Sequence, residues 1–316
     1  MSRGDTAVRG KGRGRARTPD RAADGTAGRA AVGDRGVPGV RAPRPLWSLG
    51  LLRNELGTTF RRRRTLMLLA VLACVPVLVG IAVRVQTADG GRGGPAFISL
   101  VTNNGLFLVF TSLAATLPVF LPMALAVVAG DAVAGEAGAG TLRYLLVAPA
   151  GRTRLLLVKY VTALVFSLAA TLVVAASALA VGALLFPLGE VTLLSGTAVP
   201  FAEGLLRALA VAGTVALSLT GVAALGLFVS TLTGSGIAAM ATTVGLVITV
   251  QILDTLPQLA PVQPYLFPHY WLSFADLLRD PVYWDDIRTN LGLQAVYVLI
   301  FGSAAWARFT ARDVTA

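Results

Sequence analysis

"RRRRTLMLLAVLACVPVLVGIAV", residues 61–83, decides the class of fold. Four arginines abut residues 65–83, a run of 19 without a charge. A hydrocarbon core about 30 Å thick takes about 20 apolar helical residues to cross. The run therefore reads as a membrane span, and the arginines before it hold its N-terminal side in the cytoplasm. Pro76 is placed to kink the helix. Cys74, the sole cysteine, cannot make an internal disulfide or a metal cluster and reads as a small apolar residue of the same span.

Composition extends this reading to the rest of the chain. The 316 residues are 55% hydrophobic and 14% charged, with a mean hydropathy of +0.72. A soluble domain carries about 25% charged residues, so a multi-pass membrane protein is expected. The net charge of +11 is local. Residues 1–64 hold 16 of the 27 Lys/Arg and 5 of the 16 Asp/Glu, which leaves 11 of each sign beyond them. The body of the chain is thus not a nucleic-acid-binding one. Residues 1–45 read as a disordered basic tail drawn to anionic lipid heads, although "VRGKGRGRAR" has the look of an RNA-binding arm. No cleavable signal peptide is visible in this polar stretch.

Five further spans follow. In residues 46–60, Leu49, Leu52, Leu56 and Phe60 recur at helical spacing, which predicts an amphipathic helix in the interface with Trp47 at headgroup level. The second span is expected over 104–129, irregular because of Pro118 and Pro122. The third is expected over 160–189. Residues 208–253 carry no charge and hold two spans separated by a tight turn at "STLTGSG", 230–236. Residues 289–307 make the last. Asp254 and Arg84 fall at helix ends, and Glu190 and Glu203 in an outer loop. With the N-terminus inside, the inner segments carry eleven Lys/Arg and the outer ones five, Arg84, Arg92, Arg207, Arg279 and Arg288. That bias obeys the positive-inside rule and places 130–160 and both termini in the cytoplasm. The outer connection 254–290 is dense in aromatics, including Trp271, Phe274 and Trp284, and reads as short re-entrant or interfacial helices. His269 within it reads as an interfacial residue.

The spans so placed are empty of ionisable residues, which counts against coupling transport to a proton or sodium gradient. Neither lysine, Lys11 nor Lys159, stands in the Gly-x-x-x-x-Gly-Lys-Ser/Thr loop that binds nucleotide phosphates. No set of nucleophile, acid or metal ligands converges, so the chain is not expected to be an enzyme.

Residues 130–160 are the polar exception. "TLRYLLVA", 141–148, fits a two-turn helix about 12 Å long, capped by Thr141 and ended by Pro149. Leu142, Leu145 and Leu146 form one stripe, with Arg143 turned away. The glycines before it, Gly130, Gly135 and Gly138 among them, let the chain leave a membrane helix and turn. Asp131 and Glu136 can pair with cations of a partner or with Arg152 and Lys159. The residues alone leave two readings, a docking element or an ordinary solvated loop.

"AGEAGAGTLRYLLVAPAGRTRLLLVKY" resembles the signature of ABC-2 type transporter permeases through Gly135-Glu136, Gly140-Thr141-Leu142, Leu145-Leu146, Pro149-x-x-Arg152 and Lys159. The resemblance covers roughly residues 46–316. Gly138 stands where the family commonly has a second acid, a role left absent or to Asp131. What the resemblance implies is an all-α, six-span permease domain over 46–316 in a bacterial plasma membrane. It would be the membrane subunit of an ATP-binding cassette exporter, paired with a second permease subunit. A cytoplasmic coupling helix would dock into a separate P-loop ATPase that uses ATP and Mg, and no cofactor would bind the chain itself. Asp131, Glu136, Gly140, Thr141, Leu142, Leu145, Leu146, Pro149, Arg152 and Lys159 would carry the coupling. The competing expectations are an ion-coupled or passive carrier acting alone, and a membrane-anchored assembly protein. The cargo is not legible, since Asn103, Asn104 and Gln251 are the main polar groups of the spans besides Ser and Thr.

Overall fold

A computed structural model describes residues 46–88, 96–138 and 151–311, all within one compact unit, Arg44–Ala316. The basic tail 1–45 lies outside the described residues. So do Gly140, Thr141, Leu142, Leu145, Leu146 and Pro149, and with them the two-turn helix expected at 141–148.

The described elements are, in order, α1 (Leu46–Arg61), α2 (Arg63–Ala88), α3 (Ala96–Asn103), α4 (Phe107–Thr116), α5 (Phe120–Gly138), α6 (Arg152–Leu185), a hairpin of β1 (Val191–Thr192) and β2 (Ala198–Val199), α7 (Phe201–Ser218), α8 (Thr220–Leu232), α9 (Gly236–Thr255) and α10 (Asp285–Ala311). Three short 3₁₀ stretches, Pro257–Leu259, Gln263–Tyr265 and Trp271–Leu278, connect α9 to α10. Six helical segments are long and apolar enough to cross a membrane, with α7 and α8 forming one of them. Helices suit that environment because every mid-span backbone group bonds within its own segment.

The chain folds as a bundle around its fourth span. In that span 72% of the most apolar stretch is buried, against 17% in α9 and in α10, which places it inside and them at the periphery. α5 packs on α8, α9 and α6, while α6 also packs on α1, α2, α4 and α7. α2 turns Met67, Leu78 and Val85 outward and Leu72 and Val83 inward. Ser177 Oγ on α6 donates to the Ala73 carbonyl of α2 at 2.7 Å, which fixes the two helices in register. Close packing inside lipid depends on small residues that let backbones approach. Gly105 and Gly182 do this at one end of α6, where a Cβ on either would collide with the backbone of the other. Gly130 does it near the other end, where a Cβ would meet the Met240 backbone at 3.0 Å.

Several boundaries depart from the sequence reading. The third span begins at Arg152 rather than 160, so three cations lie inside helix α6. The polar segment 130–160 therefore shrinks, and Gly130, Gly135 and Gly138 sit within α5 instead of turning the chain out of it. The second span runs past 129 to Gly138 and is broken between α4 and α5, beside Pro118. Glu203 belongs to the first turn of α7, not to a loop. The fourth span is also broken, at Leu219, two residues before Gly221. Pro76 lies within the unbroken α2. The turn between α8 and α9 is shorter than the expected 230–236, since Ser230, Thr231 and Leu232 belong to α8; Ser235 caps α9, accepting from the Ala238 amide at 3.4 Å.

The antiparallel packing gathers Arg62, Arg64, Asp131, Glu136, Arg152, Lys159 and the end of α10 at one end of the bundle. This is called here the basic end. Phe267, Trp271, Phe274, the hairpin and Arg207 gather at the other, the aromatic end.

Candidate functional site

The site at the basic end is built from four helices. α1 supplies Glu55. The α1–α2 joint and the first turn of α2 supply Arg62 and Arg64. α5 supplies Asp131 and Glu136, and α6 supplies Lys159. On α5 the two acids are five residues apart, about 140° around the helix, so they address different neighbours. Asp131 Oδ2 accepts from Arg62 Nη1 at 3.1 Å and from Arg64 Nη2 at 2.6 Å. Glu136 Oε1 accepts from Lys159 Nζ at 2.6 Å, and the same ammonium donates to Glu55 Oε1 at 3.0 Å. Asp131 and Glu136, with Lys159 and Glu55, line one narrow cavity of about 30 Å³, to which Thr59, Thr65 and Thr162 add hydroxyls.

Lys159 is the centre of this arrangement. It is 2% exposed, which for a lysine requires a paired head group. Two carboxylates meet it, so its charge is compensated where water is scarce. The six charged groups, three of each sign, sum to zero. Bringing them together needs α1 to lie along α6, and the tilted ring contact of Phe60 with Phe166, centroids 6.3 Å apart, helps hold it there. α6 is about 51 Å long by its 34 residues, more than a bilayer core of about 30 Å requires. The excess lets the segment from Arg152 to Lys159 carry cations without placing them at mid-membrane depth.

Of the residues singled out from sequence, Glu136 and Lys159 are brought together as one of the expected pairings. Asp131 pairs with Arg62 and Arg64 rather than with Arg152. Arg152 turns instead to α10, where its Nη1 donates to the Thr310 carbonyl at 2.8 Å. Sequence reasoning did not find Glu55, Arg62 and Arg64 as members. One signal was available: Glu55 is the single acid of an otherwise basic helix and joint. What the arrangement can do is mechanical and electrostatic. It ties the last turns of α5 to the first turns of α6, and both to α1, by charged side chains from distant parts of the sequence.

The family described as "Protein of unknown function (DUF2705)" matches residues 67–315. The match takes in Asp131, Glu136 and Lys159 and begins after Glu55, Arg62 and Arg64. No curated protein matches the chain.

Proposed function

The chain belongs to the DUF2705 family, whose function is unknown, and we propose that it is the permease subunit of an ATP-driven exporter in a bacterial plasma membrane, its basic end and both termini in the cytoplasm. A separate P-loop ATPase docks on the segment between α5 and α6, and a second permease subunit completes the pathway. One observation carries this reading. The two helices that flank that segment are locked to each other by Glu136 and Lys159 at 2.6 Å, and to α1 by Glu55 at 3.0 Å. A force applied to the segment therefore passes into two spans and an amphipathic helix together, as a coupling device requires.

Two further features support it. Eleven Lys/Arg on the basic-end side against five on the other favour a cytoplasmic basic end. Among the described residues, the charged side chains that fall within the second and third spans are paired with one another, Asp131 with Arg62 and Arg64 and Lys159 with Glu55 and Glu136, which suits a mechanical joint more than a free site for a coupling ion.

The test is affinity purification of the full chain from native membranes, with identification of what comes with it. A P-loop ATPase is expected with the wild-type chain and is expected to be lost with Leu142→Asp, a variant that still inserts. If no ATPase accompanies the wild type, or if the variant keeps it, the assignment fails. A partner without a phosphate-binding loop would turn the reading toward an assembly protein.

A further inference from the structure

α1 turns one face to the bundle and leaves the other open. Glu55 and Phe60 face inward, onto Lys159 and Phe166. Gly50, Arg53, Asn54, Gly57, Thr58 and Arg61 follow one another by three residues or one, which gathers them on a strip of the helix about 140° wide. They line an open groove of about 560 Å³, and Arg62, held by Asp131 at 3.1 Å, stands at its end. The floor is bare helix at Gly50 and Gly57, where an added Cβ would meet nothing within 4 Å. By helical angle, Arg53 rises on one side of that floor and Asn54 and Thr58 on the other.

We propose that this groove binds the phosphate of an anionic phospholipid headgroup. Charge selects the sign of the ligand. Three guanidiniums line the groove and no carboxylate does. Arg62 is paired with Asp131, whereas, among the described residues, Arg53 and Arg61 have no acidic partner. A guanidinium offers a planar fork of donors that matches the oxygens of a phosphate. The lining also selects against a protein ligand. Such a ligand is held by an aromatic or aliphatic anchor in a pocket, and no apolar side chain lines this groove. Depth selects a lipid over free phosphate. Arg61, Arg62 and Arg63 are exposed, and about one turn further on Leu66 and Met67 expose hydrocarbon at the start of the first span. A phosphate at Arg61 therefore sits at headgroup level, with its acyl chains free to enter the bilayer beside α2. The proposal needs the membrane spans, but neither the ATPase nor export.

The experiment titrates the full chain in detergent with phosphatidylglycerol or phosphatidylcholine and counts bound lipid by native mass spectrometry. Each juxtamembrane cation contributes about fivefold in affinity for an anionic headgroup, so two unpaired arginines give phosphatidylglycerol an advantage of about 25-fold. Arg53→Gln and Arg61→Gln should each lower that advantage about fivefold, and the double variant should abolish it. Two further variants separate a built site from diffuse attraction. Arg63→Gln removes an exposed charge from the same run but outside the lining, and should leave the advantage in place. Gly57→Leu fills the floor of the groove without changing charge, and should lose the lipid while α1, which gains a better helix former, stays folded. Equal losses from Arg63→Gln and Arg61→Gln would overturn the proposal, as would a Gly57→Leu chain that binds like the wild type. Displacement of phosphatidylglycerol by millimolar inorganic phosphate would reassign the groove to a free anion. Lipid binding unchanged in the double variant, with loss of a co-purifying protein, would reassign it to a protein.

Discussion

At the centre of the basic end, side chain meets side chain: Lys159 holds Glu136 and Glu55, and Asp131 receives Arg62 and Arg64. At the aromatic end, local pairs such as Arg207–Glu203 and Arg279–Asp276 stand beside many longer-range bonds from side chain to backbone. Arg207 Nη1 donates to the carbonyls of Leu277 and Arg279 at 2.8 and 3.0 Å, and Asn104 Nδ2 to those of Gly189 and Glu190 at 3.0 and 2.9 Å. Gln294 Nε2 reaches the Phe267 carbonyl at 2.9 Å, and the Tyr297 hydroxyl that of Tyr265 at 2.9 Å. Phe267 is wedged between Trp271 and Tyr297, each with ring centroids 5.5 Å away. A carbonyl has a fixed address, so these bonds pin loops to helices. The basic end is joined instead by ion pairs between helices, so a displacement of one helix is carried to its neighbours. That contrast agrees with a drive applied at the basic end and a stiff closure at the other.

The contrast breaks most sharply at Lys159. Lys159→Met leaves Glu55 and Glu136 facing each other across the narrow cavity with no cation between them. Removing one partner from a buried ion pair costs about 3–5 kcal/mol, because the charge left behind is uncompensated. Thermal unfolding of the full chain in detergent should show that loss. Adding Glu136→Gln should recover part of it, since one stranded charge is then gone. A Lys159→Met chain as stable as the wild type would remove the keystone role assigned to this lysine.

Arg207→Met probes the other end, with a smaller expected loss. Hydrogen bonds to a charged group contribute about 1.5–3 kcal/mol, and here they hold the loop after Trp271–Leu278 against α7. The Glu203 pair on the same helix, with Glu203 46% exposed, adds little. The variant should unfold somewhat earlier and be cut by protease near 279–283, while the basic end stays resistant. Unchanged proteolysis would mean that the rings, not Arg207, fix that connection.

The sequence displayed the spans because hydrocarbon runs such as 65–83 and 289–307 leave few alternatives. It displayed them less well where charge and helix coexist. Arg152, Arg154 and Lys159 pushed the expected start of the third span to 160, yet the helix begins at Arg152. It can do so because Lys159 is neutralised by two acids and Arg152 reaches a carbonyl of α10. Neither fact is local in sequence: Glu55 lies 104 residues from Lys159, and Thr310 lies 158 from Arg152. The glycines of 130–138 were misread for a related reason. A glycine that frees the backbone to turn and one that admits a neighbouring helix look alike until the neighbour, Met240 beside Gly130, is placed. Pro118 did signal the break between α4 and α5, whereas the break in the fourth span has only Gly221, two residues past Leu219, beside it.

Asp131 carries the smallest effect and tests whether the basic end is one network or two. Its partners Arg62 and Arg64 have side chains 46% and 40% exposed, so water already screens them. Pairs of this kind contribute less than about 1 kcal/mol. Asp131→Asn should therefore lower the unfolding temperature slightly in dilute buffer. The difference should vanish near 1 M salt, where the screening length falls to about 3 Å. The Lys159→Met deficit should survive the same salt better, because Lys159 itself is buried and salt screens a buried pair less than an exposed one. Equal losses from Asp131→Asn and Lys159→Met, or a shared salt response, would join the two halves of the cluster into a single unit. Separate responses would leave Lys159 alone as the joint between α5, α6 and α1, with Asp131 trimming the position of α2 against α5.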